Sequence, residues 1–392
     1  MKTTLSWLRA SLGALMLALA ACGGGGGGGT AGVGTGGTGY ASGPVSGFAS
    51  VIVNGVDFDD RSATLTDDDG QPFTRDALRL GMTVEVNSGA ITTNSAGLQV
   101  ATAQRIQVLT LAVGLVDSVD VAGNALVVLG QRIAIDAATA FDASFTNRLS
   151  SLTVGQPVQV HGLLGADGSY RATRIAPVTS PANYRLRGVV GAVNTGAATL
   201  TVGGTTFGVA SVSLLNGVTV GSRMQLKLAT TQDGASRWVV SSLNGVQASV
   251  ADGTEVKVEG LIDRFTDRTH FSVGGITIDA SGAAFDPTTA TLQLGSRVEV
   301  EGPSTGGVVR ATKVKLDDNG GASEIRVSGA LSALDTTLKR FVVRETVVDY
   351  SATDLRLDNG TLADLANGRS VEVRGALSTD GTRLVATRLK FL

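Results

Sequence analysis

Gly295-Ser296-Arg297-Val298-Glu299-Val300 sets a glycine before alternating apolar and polar side chains, and four other stretches of the chain repeat it. They are Gly81-Met82-Thr83-Val84-Glu85-Val86, Gly155-Gln156-Pro157-Val158-Gln159-Val160, Gly221-Ser222-Arg223-Met224-Gln225-Leu226 and Gly368-Arg369-Ser370-Val371-Glu372-Val373. The valines fall on one face and Glu85, Gln159, Glu299 and Glu372 on the other, which predicts half-buried strands with one wet face. Upstream, each copy has a second glycine: Gly47, Gly114, Gly188, Gly260 and Gly329, spaced 67, 74, 72 and 69 residues apart. Each copy closes on a further strand, such as Ala172-Thr173-Arg174-Ile175, Ala311-Thr312-Lys313-Val314 or Ala386-Thr387-Arg388-Leu389. A period held through five copies identifies a repeat array.

Strands such as Ala125 to Leu129, Leu200 to Val202 and Phe341 to Val343 share a β-branched bias, and Asp167-Gly168, Gly274-Gly275 and Asp380-Gly381 mark turns at hairpin spacing. Only the stretches before the second landmark, such as Ala140 to Leu152 and Ala352 to Leu365, have room for a helical turn. Five or six short strands bury little as a flat sheet; closing the sheet buries more and removes exposed edges. The expected fold is therefore all-β: five tandem small OB-like β-barrels of about 70 residues. Their expected spans are 44–108, 109–178, 184–246, 255–316 and 324–392. Whether they form an extended string or a packed cluster stays open at this level.

Three features also carry a family resemblance: Gly47-Phe48-Ala49-Ser50-Val51-Ile52-Val53-Asn54-Gly55, the Leu80-Gly81-x-x-Val84-Glu85-Val86 step, and the Ala-Thr-x-Ile closing strand. The pattern resembles the family designated domain of unknown function 5666, found in exported bacterial proteins. The third unit departs most, with Met224 and Leu226 replacing the valines and Trp238-Val239-Val240 in its closing strand. The family has no assigned activity, so the resemblance implies a fold and an exported location only.

The N-terminus points the same way. Lys2 and Arg9 precede an uncharged run from Ala10 to Ala21, the pattern of a signal peptide over residues 1–21, too short to span a bilayer. Leu19-Ala20-Ala21-Cys22 resembles the lipobox of bacterial lipoproteins, which implies a lipidated Cys22, and Gly23 after it resembles export to the outer membrane. The alternative is an ordinary signal peptide that happens to precede a cysteine. Gly23 to Gly29 and the Gly/Thr/Ser-rich stretch to Gly43 read as an unfolded tether, residues 22–43 with the cysteine. The expected location is the bacterial cell envelope, with the membrane as a partner through the lipid.

Composition excludes several function classes. A net charge of −2 provides no long-range field for nucleic acid, and 4% aromatic residues leave few stacking platforms. Cys22 is the only cysteine, so no disulfide is available. Gly32-Val33-Gly34-Thr35-Gly36-Gly37 spells a dinucleotide fingerprint without the flanking strand and helix it needs. Gly302-Pro303-Ser304-Thr305-Gly306 spells a nucleophile elbow, but a strand follows it and no histidine lies downstream.

His161 falls on the outward side of its strand, where other copies carry Asn87, Lys227, Glu301 and Arg374, and reads as solvated. His270 has no partner in ligand spacing. Asp67-Asp68-Asp69-Gly70 and Asp317-Asp318-Asn319-Gly320 lack the ligand pattern of a calcium loop and read as turns, with weak calcium binding as the alternative. Arg174, Lys313, Lys315, Arg388 and Lys390 face outward on closing strands, either as edge protection or as a ladder for an acidic glycan. The expectation is a non-enzymatic structural or interaction module with no catalytic, cofactor-binding or metal residues and an envelope glycan or protein partner. A ligand-binding alternative uses the open barrel faces for envelope polysaccharide and requires exposed aromatics: Trp238 in the third unit, Phe265 and Phe271 in the fourth.

Overall fold

A computed structural model of the chain describes residues 38–392 apart from 49, 166–167, 247–249 and 318–323. Cys22, the signal segment and the Gly32–Gly37 motif lie outside the described residues. Residues from Gly36 to Leu392 form one compact unit.

Each copy closes into a five-stranded barrel. In the first, Gly39–Phe48 pairs antiparallel with Val51–Val53, which pairs with Val56–Asp59. Val56–Asp59 runs parallel to Gln99–Leu109, and Thr83–Ser88 pairs antiparallel with both that strand and Gly39–Phe48, closing the ring. The third strand therefore lies beside the fifth, and the fourth beside the first, as in an OB barrel. The same ring recurs over Ala112–Pro177 and Tyr184–Gly245. It recurs again over Glu255–Leu316 and Ile325–Phe391. Short 3-10 turns at Arg75–Ala77, Arg148–Ser151, Val212–Leu215 and Leu362–Asp364 sit between the third and fourth strands.

The two landmark glycines have separate physical causes. Gly81, Gly155, Gly221, Gly295 and Gly368 all take φ between +77° and +90°, a left-handed step into the fourth strand that a side chain strains. Four of the opening glycines, Gly47, Gly114, Gly188 and Gly260, are close approaches instead. A Cβ on Gly260 would stand 2.7 Å from Val273 Cγ1, and one on Gly114 2.5 Å from Leu129, each at the end of the second strand. The repeated valines behave as the alternation predicts: Val84, Val86, Val158, Val160, Val298, Val300, Val371 and Val373 are fully buried.

The tether boundary needs correction. Gly39–Phe48 is a strand, with Tyr40 and Ala41 buried, so the chain is already structured before Gly43. Composition marks this stretch as coil, but it lies between two templates, antiparallel to Thr83–Ser88 and parallel to Glu255–Val258. Glycine suits that crowding: a Cβ on Gly39 would sit 2.8 Å from the Gly89 carbonyl oxygen.

The barrels are packed together rather than strung out. The first joins the fourth through Gly39–Ser42 against Glu255–Val258, and the fifth through Gly47 and Phe48 against Arg326 and Val327. The second joins the third through Ala112 and Val113 against Leu186 and Arg185. Hydrophobic cores follow these seams: one cluster spans the first and fifth barrels, a second the second and third, and a third fills the fourth.

Candidate functional site

Side chains tie the barrels together where strands do not. The Asp67–Gly70 turn of the first barrel meets a basic group on the third. Arg185 reaches Asp68 at 3.2 Å and Asp69 at 2.6 Å, Arg187 lies 3.7 Å from Asp68, and Lys227 lies 3.4 Å from Asp69. The turn was expected to be plain. Asp67 does cap it, accepting from the Asp69 and Gln71 N–H groups, but its acids also form an electrostatic joint. Burial pushes the Asp68 carboxyl above its usual range against the pull of Arg187 and Arg185. Arg223 of the third barrel pairs with Asp263 of the fourth at 2.6 Å, and Ser272 also donates to Asp263.

Between the first and second barrels lie the two largest departures from the sequence reading. His161, expected in solvent, is fully buried; its Nδ1 is 2.7 Å from the Leu109 carbonyl oxygen. Desolvation pushes its pKa down to about 4. Arg174, expected to face out, is 7% exposed and pairs with Asp142 at 3.1 Å. Both do point away from their own barrel core. The first barrel covers them: Thr173 donates to the Gly81 carbonyl oxygen at 2.7 Å, and Arg174 to the Leu80 carbonyl oxygen at 3.4 Å.

A cavity of about 330 Å³ opens where the first, second, fourth and fifth barrels meet. Its apolar wall includes Val45, Ile52, Leu80, Ala140, Ile325 and Leu377, and among the described residues no aromatic lines it. Eight charged residues lie on the same wall: Asp57, Glu259, Glu299, Glu324, Arg297, Lys315, Arg326 and Arg374. Strand register sets Glu259 directly opposite Glu299 and Glu299 opposite Lys315. Arg297 pairs with Glu259 at 2.6 Å and with Asp317 at 3.4 Å. Arg326 pairs with Asp57, and Arg374 lies 3.6 Å from Glu324. Burial, then the like charge of Glu259, pushes Glu299 above the usual carboxylate range. Asn54, 6% exposed on this wall, donates through Nδ2 to the Ser42 and Lys257 carbonyl oxygens, while its Oδ1 accepts no hydrogen bond.

The aromatic candidates are not brought together. Phe271 is 3% exposed with its ring in the fourth barrel's core, which corrects its expected exposure. Phe265 packs half-buried against the same core. Trp238 is half-buried edge-on to Tyr184, with ring centroids 5.1 Å apart. His270 is exposed beside Asp267 at 3.1 Å. Ser304 of the elbow-like motif sits in strand Arg297–Thr305, which turns into strand Val308–Arg310 as a hairpin. Among the described residues, no three His, Cys, Asp or Glu side chains group as a metal site. Of the outward basic residues, Lys313 and Arg388 are exposed, while Lys315 lines the cavity.

No helix among the described residues is long and apolar enough to cross a membrane. No curated protein matches the chain. Three of its segments, residues 113–176, 259–315 and 328–390, match the family model described as a domain of unknown function (DUF5666). These segments coincide with the second, fourth and fifth barrels. With closed OB-like barrels recurring along the chain, this is a DUF5666-like protein.

Proposed function

We propose that the chain is a lipid-anchored, non-enzymatic protein of the bacterial cell envelope, in which five OB-like barrels act together as one structural or interaction module. The observation that supports this reading is the interlocking of the barrels. Three strand seams and buried ion pairs such as Arg223–Asp263 join them, a construction suited to presenting a fixed surface. The anchor rests on Leu19-Ala20-Ala21-Cys22. Attached lipid binds by roughly 0.8 kcal/mol per buried methylene, so more than one chain on Cys22 gives a stable hold. Fractionation of cells expressing the wild type and Cys22→Ala tests it: the wild type should sediment with outer membranes and the variant should not. A variant that stays with the membrane contradicts the anchor.

One observation favours a second reading, envelope glycan binding on a barrel face. The outer face of the fourth barrel carries a shallow groove of about 340 Å³ with Arg264, His270, Ser272, Thr277, Asp279 and Arg310 on its wall. Exposed Arg264, His270, Thr277 and Arg310 suit hydroxyl and acidic substituents better than stacking, because Phe271 turns inward. A glycan array with wild type and Arg310→Ala tests it; no binding by the wild type removes this reading.

A further inference from the structure

The charges lining the cavity between the first, second, fourth and fifth barrels do not all pair with one another. Arg297 is committed to Glu259 and Asp317, Arg326 to Asp57, and Arg374 to Glu372 at 3.0 Å with Glu324 at 3.6 Å. Among the described charged residues of the wall, that leaves one acid and one base without an ion pair: Glu299 and Lys315. These two stand opposite each other across paired strands, yet no ion pair closes between them, and among the described residues no hydrogen bond or salt bridge is made by either side chain. Both are partly buried, and the charges of Lys257 and Lys315 reach Glu299 only through space, so each side chain has lost water without gaining a direct hydrogen-bonding partner, which is costly unless a ligand supplies one. The buried Oδ1 of Asn54 on the same wall also accepts no hydrogen bond.

We propose that this cavity binds a small aliphatic zwitterion, of amino-acid to dipeptide size, with its ammonium on Glu299 and its carboxylate on Lys315. The balance of charge on the wall carries the argument. A net cation or anion would satisfy one free group and leave the other buried and unpaired, whereas a zwitterion satisfies both. Size and lining agree with this class. About 330 Å³ is at the small end of ligand pockets, which run from roughly 300 Å³ upward. The walls between the charges are Val45, Ile52, Leu80 and Leu377, with no ring for stacking among the described residues, so an aliphatic side chain fits and an aromatic base or sugar gains little. An ammonium on Glu299 also has the Asn54 carbonyl on its wall as a further acceptor.

Isothermal titration of the full chain with L-leucine and with Ala-Leu tests the proposal. Isopentylamine and 4-methylpentanoate serve as analogues lacking the carboxylate or the ammonium. At least one zwitterion should bind, and each single-charge analogue should bind about tenfold more weakly or worse, the scale of one charge-assisted hydrogen bond. Glu299→Gln and Lys315→Met, each with an unchanged circular dichroism spectrum, should weaken the zwitterion by a similar factor. The analogue comparison needs only the wild type and stands if a variant fails to fold. No binding by either zwitterion overturns the proposal, as do equal affinities for the analogues or unchanged binding by the folded variants.

Discussion

The joint between the first and fifth barrels and the joint between the first and third solve the same problem with different materials. The former is built first on backbone and apolar core: Gly47 and Phe48 run beside Arg326 and Val327 and the two barrels share one hydrophobic cluster, with the Arg326–Asp57 and Arg79–Glu345 pairs at its edges. The latter is side chain: three aspartates of one turn face Arg185, Arg187 and Lys227. A backbone seam depends on the absence of a side chain, since a Cβ on Gly47 would overlap the Arg326 carbonyl oxygen. A charged joint depends on the presence of every partner, because an ion left alone at low exposure costs more than the pair contributes. The first kind should therefore fail by steric insertion and the second by deletion.

The largest expected effect is deletion at the charged joint. The Asp68 side chain is 1% exposed, and Asp68→Ala leaves Arg187 without its acid. Stability should fall by about 3 kcal/mol, read as a lower midpoint in denaturant. A loss below about 1 kcal/mol would mean that Asp67 and Asp69 alone hold the joint.

A comparable effect, driven by pH, is expected at the third kind of joint, where His161 is sealed between the first and second barrels. The folded protein holds its imidazole neutral down to about 4, whereas the unfolded chain takes a proton near the usual 6.5. A depressed histidine contributes stability that is fully present above pH 6.5 and lost as pH falls through about 4. At 1.36 kcal/mol per unit, the loss is about 3 kcal/mol. His161→Gln should flatten the stability profile between pH 6.5 and 4 relative to wild type; identical slopes would place the imidazole in contact with water.

Smaller is the steric test of the backbone seam. Gly47→Ala should cost about 2 kcal/mol, in the range of overpacking, and weaken the seam with the fifth barrel. Gly155→Ala isolates the conformational term: open space surrounds its Cβ position, but φ is +82°, so about 1 kcal/mol is expected. Equal losses at the two sites would contradict the close approach at Gly47.

These contrasts mark what the sequence could and could not disclose. Alternation at Val298 and Val300 and glycine at 81, 155, 221, 295 and 368 are local facts, each fixed by one strand or one φ angle, so barrels and repeat were legible. Alternation also placed His161 and Arg174 outside their own barrel correctly. It could not tell that another barrel, some 90 residues away in sequence in the case of Thr173 and Gly81, covers that outside. The same blindness made Asp67–Gly70 look like an ordinary turn and Gly39–Gly43 like a tether. Variation among copies at the His161 position suggested solvent, yet Lys227 pairs with Asp69, Glu301 with Lys257 and Arg374 with Glu372. Only Lys227 reaches another barrel; Glu301 and Arg374 find their acids or bases within their own. The central cavity had no sequence signal, because Glu299, Asn54, Ala140 and Arg374 meet only after four barrels pack.

The interlocking of the five barrels is tested most directly by small-angle X-ray scattering on the Gly36–Leu392 unit. A compact body of that length should give a radius of gyration of about 21 Å. A radius near 30 Å or more, as expected for barrels laid end to end, would contradict it.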